Sequence, residues 1–304
     1  MTDLAFDGVL FFPVTPFDEN GAIDRGVLEQ HLEASLAFNP GGVFPACGTG
    51  ELHALSAREA ITVVIDTVRV VNGRVPVVAG TGGPLGHALE LARGAAAAGA
   101  DALLVLPPYL VTGTAAGTVA YVETIAETTP LPVIVYHRGS SQFSVDSMRR
   151  LAAHPKIIGF KDGTGDIGLA QQIVLAVGEV TTEPFHLFNG LLTAELSQGA
   201  YRGIGIPHYS SAAFAFVPEV ATAYYRALTA GDETTRMMLL TEFYAPLVAL
   251  RDETPGFGVS LVKAGNRLRG LPVGGVRSPL VDPSPEQLDR LSHVIDRGLA
   301  AVAG

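Results

Sequence analysis

Hydrophobic residues of this 304-residue chain fall into eight short runs, and longer stretches with a helical pattern lie between them. The runs are almost continuously apolar rather than alternating, which is typical of strands buried on both faces of a parallel sheet. The predicted strands are Gly8–Phe17, Gly42–Cys47, Val75–Gly80, Ala102–Pro107, Pro132–Tyr136, Ile157–Lys161, Phe185–Asn189 and Gly203–Tyr209.

Helical patterns between these runs have recognisable start signals. Asp24, Ser56 and Ser144 are suited to N-caps, and Glu59 follows Ser56 at the spacing of a capping box. The predicted helices include Asp24–Phe38, Ser56–Val71, Pro84–Ala98, Thr114–Thr128, Ser144–Ala153 and Ile167–Val177. Eight alternating βα units predict an α/β fold, a closed (β/α)8 TIM barrel, with an open doubly wound sheet as the alternative.

The C-terminal part of the chain has a different pattern. Residues 218–304 contain about three more helical patterns and no convincing strand. No linker, low-complexity tract or charge run separates them from the preceding units. We therefore predict that residues 1–217 form the barrel and that residues 218–304 form a C-terminal helical extension packed on it, within one structural domain.

Composition excludes several classes of function. The formal net charge of −10 argues against nucleic-acid binding, which requires clustered Lys and Arg. No apolar run is long enough to predict a membrane span. One cysteine cannot form an internal disulfide, and the short acidic N-terminus has no basic region typical of a signal peptide, so a cytoplasmic location is expected.

Lys161 is the most informative of only three lysines, because it ends the apolar run Ile157–Phe160. Barrel enzymes place their chemistry at the C-terminal ends of strands. An ordinary lysine has a pKa of about 10.4, so roughly one amine in two thousand is neutral at pH 7. Burial lowers that pKa and makes the amine a nucleophile towards carbonyl groups. The alternative is a lysine paired with Asp162 or with a barrel glutamate.

Other residues at strand ends have open interpretations. Tyr136 could relay protons to an intermediate on Lys161, or it could be a packed tyrosine with its hydroxyl in water. The loop Gly48–Glu51 could bind a carboxylate through backbone amides and the Thr49 hydroxyl, or it could be a plain tight turn. Cys47 is better explained as a small structural residue than as a nucleophile. Histidine and glycine spacings favour neither a metal site nor a dinucleotide site, so no cofactor is expected.

Several motifs occur together along nearly the whole chain. They are Gly8–Thr15, Cys47–Glu51, Leu106–Leu110, Gly159–Gly163 with Gly165–Ile167, Tyr209–Ser211, Ser260–Gly265 and Val276–Arg277. This combination resembles the Schiff-base lyase and synthase superfamily that includes dihydrodipicolinate synthase and N-acetylneuraminate lyase. Within it, the chain is most similar to the 5-dehydro-4-deoxyglucarate dehydratases. Gly48 and Leu110 differ from the threonine and tyrosine of dihydrodipicolinate synthases, which argues against that activity.

The resemblance implies a catalytic pair. Lys161 would form a Schiff base with the C5 ketone of 5-dehydro-4-deoxy-D-glucarate, and Tyr136 would relay protons. Gly48, Thr49 and Gly50 would hold the carboxylate next to the ketone. The products would be 2,5-dioxopentanoate, carbon dioxide and water. A small keto acid is thus the expected partner, and the resemblance also implies a homotetramer.

Two further residues are candidates for substrate binding. Arg138 suits bidentate recognition of the distal carboxylate, although a surface or subunit contact explains it equally well. Ser210 could contact a substrate hydroxyl, or it could be a loop hydroxyl bonded to the backbone.

The chain departs from the dehydratase pattern at several positions that we expect to border the far end of the substrate. These are Leu52, His137, Gly139, Ser140 and His208. Two other functions therefore stay open: a pyruvate-releasing aldolase with the same lysine, and a barrel that binds keto acids without turnover. A nucleotide-binding α/β protein would need a phosphate cradle, which we do not find in the sequence.

Overall fold

Eight parallel strands form the centre of the molecule in a computed structural model that describes residues 4–303. Their continuous apolar runs are buried on both sides, as the sequence pattern predicts. The strands are β1 (Leu10–Phe11), β2 (Gly42–Val43), β3 (Val78–Thr81), β4 (Ala102–Val105), β5 (Val133–His137), β6 (Ile157–Asp162), β7 (His186–Asn189) and β8 (His208–Ser211).

The sheet closes on itself. Its strand order is β2-β1-β8-β7-β6-β5-β4-β3, with β1 in parallel register with both β2 and β8. The remaining seam lies between β2 and the residues before β3. Val43 forms a parallel bridge with Val77 there, and its N–H donates to the Pro76 carbonyl at 2.8 Å. The closed (β/α)8 barrel is confirmed, and the alternative of an open sheet is wrong.

Helices alternate with the strands and begin at the predicted caps. Asp24 accepts a hydrogen bond from the Val27 N–H, and Ser56 forms a complete capping box with Glu59. The helices are α1 (Arg25–Leu36), α2 (Ala57–Val71), α3 (Leu85–Ala98), α4 (Ala115–Thr128), α5 (Val145–Ala152), α6 (Ile167–Val180), α7 (Glu195–Gly203), α8 (Pro218–Ala230), α9 (Glu233–Leu239), α10 (Ala245–Arg251), α11 (Phe257–Leu268) and α12 (Pro285–Val302).

The largest differences between predicted and observed elements are in three strands and in the extension. The first strand pairs only over Leu10–Phe11 within the predicted range Gly8–Phe17, and the second only over Gly42–Val43 within Gly42–Cys47. The eighth strand covers His208–Ser211 rather than Gly203–Tyr209, because helix α7 continues to Gly203 and a turn at Gly205 separates the helix from the strand. Residues 218–303 of the extension hold five α-helices rather than about three, and a short π-helix joins α9 directly to α10.

The extension shares its core with the barrel. One continuous cluster of buried apolar side chains runs from Leu4 to Ile295 and includes residues of α8, α11 and α12. The division at residue 217 itself stays a prediction. Within residues 4–303, none of the helices is both long enough and apolar enough to cross a membrane.

Candidate active site

A cavity of about 460 Å³ lies at the C-terminal ends of the strands. This is the end of a (β/α)8 barrel where active sites are found. Its wall is built from strand-end residues of the barrel and from the start of helix α11 in the extension. The lining includes Phe12, Cys47, Gly48, Thr49, His53, Tyr109, Tyr136, Arg138, Gly139, Ser140, Lys161, Gly190, Thr193, Ser210, Gly256, Gly258, Val259 and Leu280.

Lys161 lies near the end of β6 and is only 5% exposed. Its Nζ lies 4.6 Å from the centroid of the Phe12 ring and 4.1 Å from that of Tyr136. Asp162 accepts hydrogen bonds from Thr164 and Tyr201 instead. None of the carboxylates in the described chain forms an ion pair with Lys161. The alternative of a charge-paired structural lysine is therefore wrong.

The surroundings of Lys161 change its protonation. Burial lowers the pKa of Lys161 below its ordinary value, and the positive charge of Arg138 acts in the same direction. Tyr136 acts in the opposite direction without cancelling the effect of burial. A larger fraction of the amine is therefore neutral near pH 7 than for an exposed lysine.

Tyr136 faces Lys161 from the neighbouring strand, because the two residues are register partners between β5 and β6. Its hydroxyl donates to the Gly190 carbonyl at 2.8 Å and accepts from the Arg138 guanidinium at 2.9 Å. Burial alone would raise the pKa of Tyr136, but the charges of Lys161 and Arg138 outweigh it and the pKa is lowered. The phenol is thus suited to exchange protons beside the amine.

Arg138 lines the cavity and is half-buried, so a purely surface role does not describe it. Its backbone N–H and C=O both pair with Ser141, which closes a tight turn through Gly139 at a φ of 56°. One guanidinium nitrogen is engaged by Tyr136, and the others have no hydrogen-bond partner among residues 4–303. The guanidinium can therefore bind a ligand and hold the phenol at the same time. Its role with a distal carboxylate stays a prediction.

The loop after β2 brings Gly48 and Thr49 to the cavity wall. Gly50 lies behind them, where its carbonyl accepts from the Thr15 hydroxyl at 2.7 Å, so Gly50 supports the loop from below. Burial raises the pKa of the neighbouring Cys47 to about 12, which keeps its thiol protonated. This supports the interpretation of Cys47 as a structural residue.

Ser210 lines the cavity from β8. Its hydroxyl is 3.5 Å from the Asn189 carbonyl, a long contact that leaves it free to turn towards a ligand. Ser211, the next residue, bonds to the buried Glu195 on the other side of the strand. Substrate binding by Ser210 stays a prediction.

Only two of the five departures from the dehydratase pattern, Gly139 and Ser140, line the cavity. The expectation is wrong for the other three. His137 alternates with Tyr136 on β5, so its ring faces outwards, where it accepts from the Phe143 N–H at 2.9 Å. Leu52 is a buried core residue, and His208 packs with aromatic rings in the barrel interior.

Sequence reasoning assigned no role to two glycines that make room for Lys161 and Tyr136. A Cβ at Gly190 would lie 2.6 Å from Lys161 Cγ, and a Cβ at Gly163 would lie 2.7 Å from Tyr136 Cε2. Only glycine fits at such distances without displacement of the neighbour. The position of each glycine just after a strand end was the available signal.

The electrostatic character of the cavity was also not predicted. Lys161, Arg138 and His53 contribute basic side chains, whereas none of the described lining residues is an aspartate or glutamate. This contrasts with the acidic chain as a whole, whose net charge is −10. No group of three or more His, Cys, Asp or Glu within residues 4–303 is arranged to hold a metal ion. The arrangement favours a small anionic ligand.

The fold and this site place the chain among the (β/α)8 barrels with a buried lysine at the catalytic end. It belongs to the dihydrodipicolinate synthetase family, whose model matches residues 5–297. A protein of Streptomyces avermitilis named probable 5-dehydro-4-deoxyglucarate dehydratase 2 is 50% identical over 97% of this chain and 88% of the relative. A probable 5-dehydro-4-deoxyglucarate dehydratase of Paracidovorax citrulli is 38% identical over 95% of each chain. The crystal structure of dihydrodipicolinate synthase from Oceanobacillus iheyensis covers 96% of each chain with a TM-score of 0.87 and 27% identity.

Proposed function

We propose that the protein is a dehydratase and decarboxylase that converts 5-dehydro-4-deoxy-D-glucarate to 2,5-dioxopentanoate, carbon dioxide and water through a Schiff base on Lys161. The observation that carries the proposal is the Lys161 amine itself, which is buried, free of any carboxylate partner in the described chain and packed against the Tyr136 ring. The names of the relatives supply the substrate. A cytoplasmic location is part of the proposal.

Imine formation begins when the neutral Lys161 amine attacks the C5 ketone. The carbinolamine then loses water, and Tyr136 supplies and takes up the protons because its hydroxyl lies beside the amine with a lowered pKa. Thr49 and its loop would hold the C6 carboxylate next to the reacting carbon, as the position of the loop on the cavity wall allows.

The protonated imine serves as an electron sink for the later steps. Loss of a C4 proton gives an enamine, which expels the C3 hydroxyl as water to leave a conjugated imine. The C1–C2 bond then breaks, so that C1 leaves as carbon dioxide and its electrons pass into the conjugated system. Protonation and hydrolysis release 2,5-dioxopentanoate and regenerate the amine.

Arg138 is a well-placed candidate partner for the distal carboxylate. It lines the wall with guanidinium donors that are not engaged by described residues, and none of the described lining residues is a carboxylate that would repel an anion. We propose that Arg138 binds C1 before decarboxylation and that Ser210 contacts a substrate hydroxyl from β8.

Product analysis tests this function directly. Incubation of the protein with 5-dehydro-4-deoxyglucarate should release carbon dioxide and 2,5-dioxopentanoate in equal amounts. Release of pyruvate without carbon dioxide would establish the aldolase alternative. Binding of the keto acid without any product would establish the alternative of a non-catalytic barrel.

The pH dependence of kcat/KM follows from the state of Lys161. The neutral amine reacts, so activity should fall as the pH drops through the pKa of Lys161 in the free enzyme. Because burial lowers that pKa, the acid limb should lie below the ordinary lysine value of about 10.4. In Arg138→Met the limb should move to higher pH, since a positive charge that lowers the pKa has been removed. An acid limb at the ordinary lysine value would contradict the assignment.

We also propose that the protein is a homo-oligomer, with the tetramer implied by family resemblance. Supporting this, Leu110 is 95% exposed and Val111 is 62% exposed on the loop between β4 and α4. Adjacent exposed apolar residues are typical of a contact surface. The variant Leu110→Asp/Val111→Asp should therefore sediment as a smaller species than the wild type. A wild-type protein that sediments as a monomer would contradict the proposal.

A further inference from the structure

One ion pair in the described chain has both side chains fully buried. Lys263 Nζ lies 2.7 Å from a carboxylate oxygen of Glu51, and each side chain is 0% exposed. Every other ion pair of residues 4–303 has at least one partner in contact with solvent. The pair joins the loop after β2 to helix α11, so it links the barrel to the extension.

Glu51 ends a loop whose backbone is strained at both ends. Ala46 has a φ of 50° and Glu51 a φ of 58°, which is the left-handed region that non-glycine residues rarely adopt. Gly48 and Thr49 lie between these two residues and line the cavity. Such strain persists only where surrounding contacts hold the backbone in place.

The contacts that hold the Glu51 side chain come from the extension. The second carboxylate oxygen of Glu51 accepts from the Arg277 N–H at 2.9 Å. The Arg277 guanidinium also donates to the Ala54 carbonyl at 2.9 Å and to Glu59 at 2.6 Å. Lys263 in turn donates to the Gly275 carbonyl at 2.7 Å. The loop and the helix that follows it are therefore fixed by one segment of the extension.

We propose that Lys263 is a positioning residue, whose buried ion pair with Glu51 holds Gly48 and Thr49 in the conformation that binds the carboxylate next to the reacting ketone. The proposal rests on the proposed function, because it assigns a role in that reaction. Helix α11 carries Lys263 and also lines the cavity with Gly258 and Val259. Helix α11 thus forms part of the cavity wall and also holds the loop Gly48–Glu51 through Lys263.

Burial of the pair is not the simplest way to stabilise the fold. Two charges lose their hydration, and apolar residues of similar volume are often as stabilising or more so. An ion pair differs from apolar packing in that it fixes the position and direction of its partners. This difference explains the pair as a constraint on the loop rather than as a source of stability.

The test compares two ketones as probes for imine formation. Pyruvate carries a carboxylate next to its ketone, whereas acetone has a methyl group there. Borohydride trapping on the peptide that contains Lys161 gives a rate for each probe, and the ratio of the two rates measures use of the carboxylate. The variants are Lys263→Met, the double variant Glu51→Gln/Lys263→Met, and Arg269→Met as the control. Arg269 pairs with Glu219 within the extension, away from the cavity.

We expect the pyruvate-to-acetone ratio to fall about 10- to 100-fold in both Lys263 variants, because small misplacements of a binding group cost that much. The ratio should stay at the wild-type value in Arg269→Met. The double variant leaves no unpaired charge in the core, so it should fold even if Lys263→Met does not.

Two results overturn the inference while leaving the proposed function intact. One is an equal fall for both probes, which would show a general loss of structure. The other is a wild-type ratio in the folded double variant. By contrast, the absence of any Lys161 adduct in the wild type would overturn the proposed function and the inference with it.

Discussion

Replacement of Lys161 by alanine is expected to reduce turnover of 5-dehydro-4-deoxyglucarate by at least about 10⁴-fold, the scale on which loss of a covalent nucleophile acts. Without the amine there is no imine, so neither the C4 proton nor the C1 carboxylate has an electron sink. The measurement is kcat at saturating substrate, determined from the rate of carbon dioxide release. Residual activity near the wild-type level would refute the role of Lys161.

Stability should survive this change. Lys161 makes no ion pair with described carboxylates, so its removal leaves no buried carboxylate without a partner. Burial of its amine is itself unfavourable to the charged form. We expect the free energy of unfolding to change by no more than about 1 kcal/mol. Lys156→Ala is the matched control, because its amine bonds to the Ala126 and Thr129 carbonyls outside the cavity. That variant should keep wild-type turnover.

The second large effect is expected for Tyr136→Phe. The variant keeps the ring beside Lys161 but loses the hydroxyl that bonds to Gly190 and Arg138. Loss of a positioned proton carrier should lower kcat by about 10²- to 10⁴-fold. Borohydride should still trap an adduct on Lys161, more slowly, because the amine remains. Trapping at short reaction times would separate imine formation on Lys161 from the later steps that limit kcat.

Tyr209→Phe provides the same chemical change outside the site. Tyr209 is buried on β8, and its hydroxyl has no hydrogen-bond partner among residues 4–303. Tyr209 does not line the cavity. Removal of its hydroxyl should therefore leave kcat unchanged. Equal losses in Tyr136→Phe and Tyr209→Phe would show that Tyr136 has no special function in proton transfer.

The barrel and the contact between Tyr136 and Lys161 could be predicted from the sequence because local signals and topology agree. Apolar runs identify the strands, and parallel order brings their C-terminal ends to one face. Tyr136 and Lys161 end neighbouring strands, so their contact follows once the barrel closes. The capping box at Ser56 is also local and was predicted for the same reason.

Other features depend on tertiary packing that no local pattern contains. Glu51 and Lys263 are more than two hundred residues apart, yet they form the most buried ion pair of the described chain. The hydrogen bond from Arg138 to Tyr136 requires the turn that Ser141 closes. His208 was misplaced because the eighth strand was predicted too early in the sequence: His208 begins β8, and its ring packs against Phe6 and Phe188 inside the barrel.

Borohydride reduction of the wild-type protein with 5-dehydro-4-deoxyglucarate, followed by peptide mass analysis, addresses the imine itself. The account predicts a mass increase on the peptide that contains Lys161 and on no peptide that contains only Lys156 or Lys263. An adduct confined to Lys156 or Lys263, or no adduct while substrate is consumed, would contradict it.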